Sequence, residues 1–167
     1  NDIKKKYNKY IYVVLSGTCA KFGSFNIFDD YRAHLKNDGM EDWHADLICE
    51  WTDVSHLCFF TLLDFIRLII TNTEYKIVLR PHPSEDKLFL TKLFKGFKDV
   101  FIDDDFSLQP SILASSKTIL CPVSTTNFEC AILEKESYCL LPKLSKYENK
   151  MIDLHFSNSL TTRVFSA

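Results

Sequence analysis

The sequence predicts an α/β fold, a Rossmann-like, doubly wound parallel sheet with helices on both faces. Three features of the 167-residue chain support this prediction. Short, wholly apolar runs recur along it, each is closed by a polar or proline-containing turn, and a segment of helical periodicity usually follows. Strands that are apolar on both sides are typical of a parallel sheet buried between two layers of helices.

Five apolar runs are predicted to form the strands of this sheet. They lie at residues 10–15, 76–79, 100–102, 118–121 and 138–141. The first run ends in a turn at residues 16–18, and the last is stopped by Pro142 and is expected to be the final strand. The chain is therefore predicted to be a single domain with its core at residues 10–142 and a tail at residues 143–167, whose structure stays open.

Helices are predicted between these strands. Thr52-Asp53 offers an N-cap for a buried amphipathic helix that ends near Asn72. Residues 84–86 are expected to cap a helix through about Phe94 or Phe97. Two shorter helices are predicted at residues 108–114 and 127–134. Residues 21–51 are mixed in character and predict a long loop with a short helix around residues 28–36.

Composition excludes several classes of function. Lys and Arg number 20 against 22 Asp and Glu, a net charge of −2, so no global charge favours binding to nucleic acid. Charged residues interrupt the most apolar stretches, residues 57–70 and 119–141, and no membrane-spanning helix is predicted. The chain starts at Asn1 without a Met and without a signal-peptide pattern, and we expect it to be a fragment of a two-domain protein.

The cysteines and acidic residues predict neither a metal site nor a cofactor. The six cysteines form no CxxC pair, which favours free, buried thiols in a reducing cytoplasm over disulfides or zinc. The five histidines likewise lack a regular ligand spacing. Three adjacent carboxylates at residues 103–105 are expected to form a solvated turn, although a divalent metal is the alternative.

Two polar loops follow predicted strands at their carboxyl ends, where an open parallel sheet binds its ligands. The first, at residues 79–85, reads LRPHPSE. Pro81 and Pro83 fix φ on both sides of His82, so the imidazole projects from a stiff loop. Arg80 adds a planar, permanently charged donor suited to phosphate or carboxylate. These residues alone leave open a purely structural role, in which the prolines end a strand and His82 is hydrogen-bonded locally.

The second loop is Ser124-Thr125-Thr126, which precedes a predicted helix. Hydroxyls and backbone N–H groups at a helix N-terminus suit a phosphate, because oriented donors meet the positive end of the helix dipole. Glu129, one turn into the helix, would accept hydrogen bonds from vicinal hydroxyls of a ribose or a sugar. As an isolated pattern, an ordinary N-cap completed by Glu129 is the simpler interpretation.

Together, the two loops carry a resemblance. Residues 78–85 and 123–135 resemble the surface carbohydrate biosynthesis proteins, relatives of the CDP-glycerol glycerophosphotransferases and the capsule Kdo transferases. Those families have an RPHP loop and then a Ser/Thr-Thr-x-x-Glu-Ala helix on the carboxy-terminal, Rossmann-like half of a GT-B architecture. The resemblance covers about residues 10–142. The chain departs from the pattern at Cys130, where Ala is usual, and at residues 134–137, where Gly-Lys-Pro is common.

The resemblance implies transfer of a sugar or polyol phosphate from a nucleotide-activated donor, with a CMP- or CDP-linked donor favoured. Arg80 and His82 would contact the donor phosphates, with His82 as the catalytic proton donor to the leaving phosphate. The hydroxyls of residues 124–126 would bind phosphate, and Glu129 would bind the ribose or sugar. An amino-terminal domain outside this chain would supply the acceptor site. A cytoplasmic location is implied, and peripheral association with the inner face of the membrane stays open.

Two other functions suit the same residues. A nucleotide-sugar epimerase uses the same two-domain scaffold and also needs a His and a Glu near the sugar. A degenerate Rossmann-like module kept for binding or assembly would need no catalytic residue. The epimerase would release free nucleotide without an acceptor, whereas the module would not respond to nucleotide. Fold alone does not separate these functions, because such sheets host many of them.

Overall fold

A parallel sheet organises the protein. The computed structural model describes residues 6–15, 27–83, 85–103, 107–120, 124–141 and 162–165. These residues form a six-stranded sheet in the order β3-β2-β1-β4-β5-β6, in which every neighbouring pair is parallel. The strands are β1 (Tyr10–Val14), β2 (Lys76–Arg80), β3 (Val100–Ile102), β4 (Lys117–Leu120), β5 (Ser137–Leu141) and β6 (Thr162–Phe165).

The order of the strands confirms the predicted Rossmann-like, doubly wound fold. The first strand, β1, lies inside the sheet, and all five of its residues are buried. From β1 the chain adds β2 and β3 on one side, and then crosses over to add β4, β5 and β6 on the other. This is the order of dinucleotide-binding doubly wound sheets.

Helices cover both faces of the sheet. They are α1 (Ile27–Asn37), α2 (Asp42–Asn72), α3 (Lys87–Leu93), α4 (Leu108–Ala114) and α5 (Thr126–Ile132). On one face, Phe59 and Leu62 of α2 and Leu90 of α3 join a core with Val13 of β1. On the other face, a second core holds Ile112 of α4 and Cys130 of α5 together with Tyr10, Tyr12 and Val14 of β1. Burial of both faces explains why the strands are apolar on both sides.

The start of α2 differs from the prediction. The predicted N-cap at Thr52-Asp53 is wrong, because α2 begins at Asp42 and runs for 31 residues. Thr52 lies inside the helix, where its hydroxyl donates to the carbonyl of Ile48 at 2.9 Å. The short helix predicted around residues 28–36 is confirmed as α1. Gly39, with φ +86°, separates the two helices in a left-handed conformation that glycine adopts without strain.

In the described part of the chain, α2 alone has the length and composition to cross a membrane. Its most apolar window has a mean hydropathy of 1.7, and 29% of that window is buried. Core helices of soluble proteins share this length and composition, and Phe59, Leu62 and Ile66 of α2 lie in the protein core. One such helix is weak support for a membrane span. That the chain has no membrane-spanning helix stays a prediction.

The tail contributes a strand that the sequence did not reveal. The strand β6 lies within residues 143–167 and pairs in parallel with β5. The prediction that the strand at residues 138–141 is the last one is therefore wrong. The other five strands begin and end within one residue of their predicted bounds. The turn predicted at residues 16–18 lies outside the described residues.

The cysteines in the described residues form no disulfide. Cys58, Cys130 and Cys139 are buried and Cys49 is half-buried, as predicted. Burial, the largest cause, raises the pKa of the Cys130 thiol to about 11, so this thiol stays neutral and unreactive at physiological pH. The remaining two, Cys19 and Cys121, lie outside the described residues.

The carboxyl end of α5 holds a strained residue. The N–H of Lys135 donates to the carbonyl of Cys130 at 2.9 Å, and the N–H of Glu134 donates to that of Ala131 at 3.1 Å. This pair of bonds is the Schellman motif, whose left-handed position favours glycine. Glu134 occupies that position with φ +53°. It also stands where the resembling families have the glycine of Gly-Lys-Pro.

Replacing Glu134 by glycine is therefore expected to stabilise the protein. The gain should be about 0.5 to 1 kcal/mol, because glycine carries no Cβ to clash in the left-handed region. Chemical unfolding of the wild-type chain and of Glu134→Gly measures it. Glu134→Ala is the matched control, since it removes the charge and keeps the Cβ. A gain as large with alanine would show that charge, and not backbone strain, destabilises this turn.

Candidate functional site

The site predicted from the sequence lies where the strand order reverses. Strands β2 and β4 both pair with β1, on its opposite sides. The chain therefore leaves β1 in one direction and returns to its other side, which opens a crevice at the carboxyl ends of the strands. The two polar loops come after β2 and β4 in the chain, so both border this crevice.

A cavity of about 360 Å³ occupies the crevice. Volumes of this order are typical of small-molecule sites. Val14 and Leu15 line it from the end of β1, and Leu108 lines it from the start of α4. The two loops supply the other described lining residues, which are Arg80, Pro81, His82, Pro83, Ser124, Thr125, Thr126 and Glu129. All six predicted site residues thus line one cavity, although the loops are far apart in the sequence.

The end of β2 holds Arg80 over the crevice. Arg80 lies opposite Val14 in the parallel register, and its carbonyl accepts the N–H of Leu15 at 3.0 Å. This bond extends the pairing of β1 and β2 into the rim of the cavity. The Arg80 side chain is half-buried and His82 is exposed, so a cation and an imidazole border the same space.

Glu85 fixes the loop that carries His82. Glu85 is 6% exposed, and its Oε2 accepts the N–H of His82 at 2.9 Å. In return, the N–H of Glu85 donates to the carbonyl of His82 at the same distance. These reciprocal bonds hold the backbone on either side of Pro83, so Glu85 is a positioning residue that the sequence analysis missed. The available signal was its place in the LRPHPSE segment.

Fewer residues cap the helix after this loop than were predicted. Residues 84–86 were expected to cap the helix together, but Asp86 is the N-cap of α3 and its carboxylate accepts the N–H of Phe89 at 3.0 Å. Glu85 faces the His82 loop instead, and Ser84 lies outside the described residues. Two neighbouring acids thus have different roles: Asp86 caps α3, and Glu85 holds the His82 loop.

The loop after β4 presents hydroxyls to the same cavity. Ser124 and Thr126 are buried, and the Ser124 Oγ accepts the N–H of Thr126 at 3.3 Å. Thr125 is exposed at the N-cap position of α5, and its side chain makes no capping hydrogen bond with the described residues. Capping by Thr125 is thus not observed. Glu129 is half-buried in the first turn of α5 and lines the cavity.

A buried polar cluster lies where β3 ends. Asp103 is 1% exposed, and its Oδ2 lies 3.4 Å from both the Tyr12 hydroxyl and the Ser111 Oγ. The prediction of a solvated turn is therefore wrong for Asp103, because α4 covers it; Asp104 and Asp105 lie outside the described residues. Burial first, and the Asp103 carboxylate second, raise the pKa of Tyr12, so its hydroxyl stays protonated and donates to Asp103.

The charges of the cavity suit a ligand with an anionic part and a hydroxylated part. Arg80 is a fixed cation, Glu129 is an acceptor, and the three hydroxyls are neutral donors. Among the described residues, no group of three or more His, Cys, Asp or Glu is placed to hold a metal ion. The arrangement can therefore bind a phosphate through Arg80 and the hydroxyls, and a sugar hydroxyl through Glu129.

The geometry of the cavity is the main guide to its function. The doubly wound sheet places the cavity, and the two loops supply its polar groups. The resemblance to the surface carbohydrate biosynthesis proteins stays a hypothesis, which is supported by the motifs at residues 78–85 and 123–135 alone. Comparison with protein-family models, with curated proteins and with solved structures finds no match to this chain.

Proposed function

We propose that this chain is the donor-binding domain of a glycosyltransferase-like enzyme of surface carbohydrate synthesis. It binds a nucleotide-activated sugar or polyol phosphate in the cavity between β1, β2 and β4. One observation supports this proposal above the others: the six residues singled out in the sequence line a single cavity at the point where doubly wound sheets bind nucleotides. The carbohydrate substrate and the CMP- or CDP-linked donor are taken from the resemblance.

Each group has a role in holding the donor. The guanidinium of Arg80 pairs with the phosphates, since its planar fork matches their oxygens. The hydroxyls of residues 124–126 donate further hydrogen bonds to the same phosphates. Glu129 accepts hydrogen bonds from the vicinal hydroxyls of the ribose or the sugar. These roles require a donor that spans the cavity from β2 to the first turn of α5.

The same groups promote transfer. As the bond to the transferred group breaks, negative charge accumulates on the departing phosphate. Donors that are fixed before the reaction stabilise this charge and lower the barrier. His82 gives a proton to the leaving phosphate, and Glu85 keeps its loop in place through the two backbone hydrogen bonds. In a GT-B enzyme the acceptor and its base belong to a second domain, so this domain alone should bind the donor and barely catalyse.

Thermal unfolding with CMP, CDP, UDP and GDP tests the proposal. A nucleotide at about 100 times its dissociation constant adds about 2.7 kcal/mol and should raise the midpoint by several degrees. His82→Ala and Glu129→Ala should abolish the shift, because both side chains line the cavity. His34→Ala is the matched control, since His34 is exposed on α1 and does not line the cavity.

The outcomes separate the candidate functions. A shift with one nucleotide that both cavity variants abolish and His34→Ala keeps supports the proposal and identifies the donor base. Absence of a shift with all four nucleotides, in a chain that unfolds cooperatively, contradicts it and favours a non-catalytic module. Release of free nucleotide from a nucleotide-sugar without an acceptor would favour the epimerase instead.

A further inference from the structure

A second cavity lies along the edge strand β3 of the sheet, beside α3. Its volume is about 480 Å³. Its described lining residues are Lys6, Tyr7, Lys87, Thr91, Phe94, Lys95, Phe97, Val100, Phe101 and Ile102. None of them lines the donor cavity. The two cavities are therefore separate sites, and nothing in the proposed donor binding uses the second one.

The floor of this cavity is apolar and well packed. Tyr7, Phe94 and Val100 are buried, whereas Phe101 and Ile102 are half-buried. The rings of Tyr7 and Phe101 lie 5.2 Å apart at a tilt of 49°, and those of Phe94 and Phe97 lie 6.0 Å apart edge to face. Such pairs hold their rings in defined positions. The floor of the cavity is therefore formed by apolar and aromatic side chains.

The rim of the cavity is basic. Lys6, Lys87 and Lys95 are exposed side chains of the lining, and no Asp or Glu is among the described residues that line it. This local charge contrasts with the chain as a whole, in which acidic residues outnumber basic ones and the net charge is −2. A concave surface bordered by charges of one sign attracts ligands of the opposite sign.

We propose that this cavity binds a ligand that carries a phosphate group on an apolar body. The apolar body lies on the aromatic floor, and the phosphate lies at the rim, where lysine ammonium groups act as point charges toward it. The Nζ of Lys6 already lies 5.0 Å from the ring centroid of Tyr7, so charge and aromatic surface meet at one place.

Binding of phenyl phosphate to the whole chain, measured by titration calorimetry, tests this site. Lys95→Gln should weaken binding about tenfold, the effect of losing one charge-assisted contact. Lys92→Gln is the matched control, because Lys92 is an exposed lysine in the last turn of α3, three residues before Lys95, and does not line the cavity. Both side chains are exposed, so neither change should alter the fold, and circular dichroism checks this.

Further probes show what the phosphate and the apolar body each contribute to binding, and whether a membrane lipid can supply the ligand. Inorganic phosphate should bind more weakly than phenyl phosphate, because it lacks the apolar body. Vesicles containing phosphatidic acid, compared with vesicles of phosphatidylcholine, show whether the phosphate can be presented by a membrane lipid. Binding of phenyl phosphate, of phosphatidic acid vesicles or of both, weakened by Lys95→Gln and not by Lys92→Gln, supports the site.

Two results would overturn the proposal. One is that neither phenyl phosphate nor phosphatidic acid vesicles bind. The other is that Lys92→Gln weakens binding as much as Lys95→Gln, which would show that only general surface charge is at work. The nucleotide measurements on His82→Ala do not bear on this outcome, since His82 lines the other cavity.

Discussion

Replacing Phe59 by alanine is expected to destabilise the fold by about 3 to 5 kcal/mol, the usual cost of removing a phenyl ring from a packed core. Phe59 is 2% exposed and lies on the face of α2 that packs on the sheet. Its neighbour Phe60 is 49% exposed. Phe60→Ala should therefore cost less than about 1 kcal/mol, in line with other surface substitutions. Denaturant unfolding of the two variants and the wild-type chain measures both values.

This pair of variants also tests how α2 is used. The helix has the length and composition of a membrane span, but the structure packs it on the sheet through Phe59, Leu62 and Ile66. A large loss with Phe59→Ala and a small one with Phe60→Ala would show that α2 docks on the sheet in solution. Equal small losses would contradict that packing and favour a different environment for the helix.

Stability is expected to fall steeply in alkali. Burial, the largest cause, and then the carboxylate of Asp103 raise the pKa of both Tyr10 and Tyr12 in the folded chain. Below about pH 10 both phenols are protonated in the folded and the unfolded chain, so their contribution to stability is complete. Above it, the unfolded chain releases these protons first and is favoured. Each such tyrosine then costs up to about 1.4 kcal/mol per pH unit.

Urea unfolding at pH 8, 9.5 and 10.5 measures this dependence. Tyr12→Phe should be slightly less stable than the wild-type chain at pH 8, since the hydrogen bond toward Asp103 is lost. It should then lose less stability than the wild-type chain as pH rises. The Cys130 thiol, whose pKa is raised to about 11, adds to the trend in both chains and cancels in the comparison. Parallel pH profiles for the two chains would contradict the assignment to Tyr12.

Local sequence was enough to predict most strands, but not every boundary. Each of the first five strands is a short apolar run beside a turn residue, so its position does not depend on distant contacts. Thr52-Asp53 has the composition of an N-cap, yet a threonine inside a helix can bond the carbonyl four residues earlier, as Thr52 does. Composition does not distinguish these two cases. The strand β6 has only four residues, too short a run to stand out in the sequence, and it pairs with β5.

It was predictable that the site residues would lie together, but the buried residues that hold them in place were not predictable. Parallel strands bring their carboxyl ends to one edge, so Arg80, His82 and Glu129 could be assigned to one crevice from the order of elements. The burial of Glu85 and Asp103 depends on what packs over them, which the residues themselves do not reveal. Sequence therefore identifies the groups that face a ligand better than the groups that hold them.

The central position of β1 has a consequence for synthesis. Its pairing partners, β2 and β4, are encoded at residues 76–80 and 117–120, long after β1 itself. At about 5 to 20 residues per second, roughly 5 to 20 s separate the emergence of β1 from that of β4 on the ribosome. Until β2 emerges, both hydrogen-bonding edges of β1 are open, and from then until β4 emerges one edge stays open. Nascent chains of this protein should therefore depend on chaperones until β4 has emerged and can pair with β1.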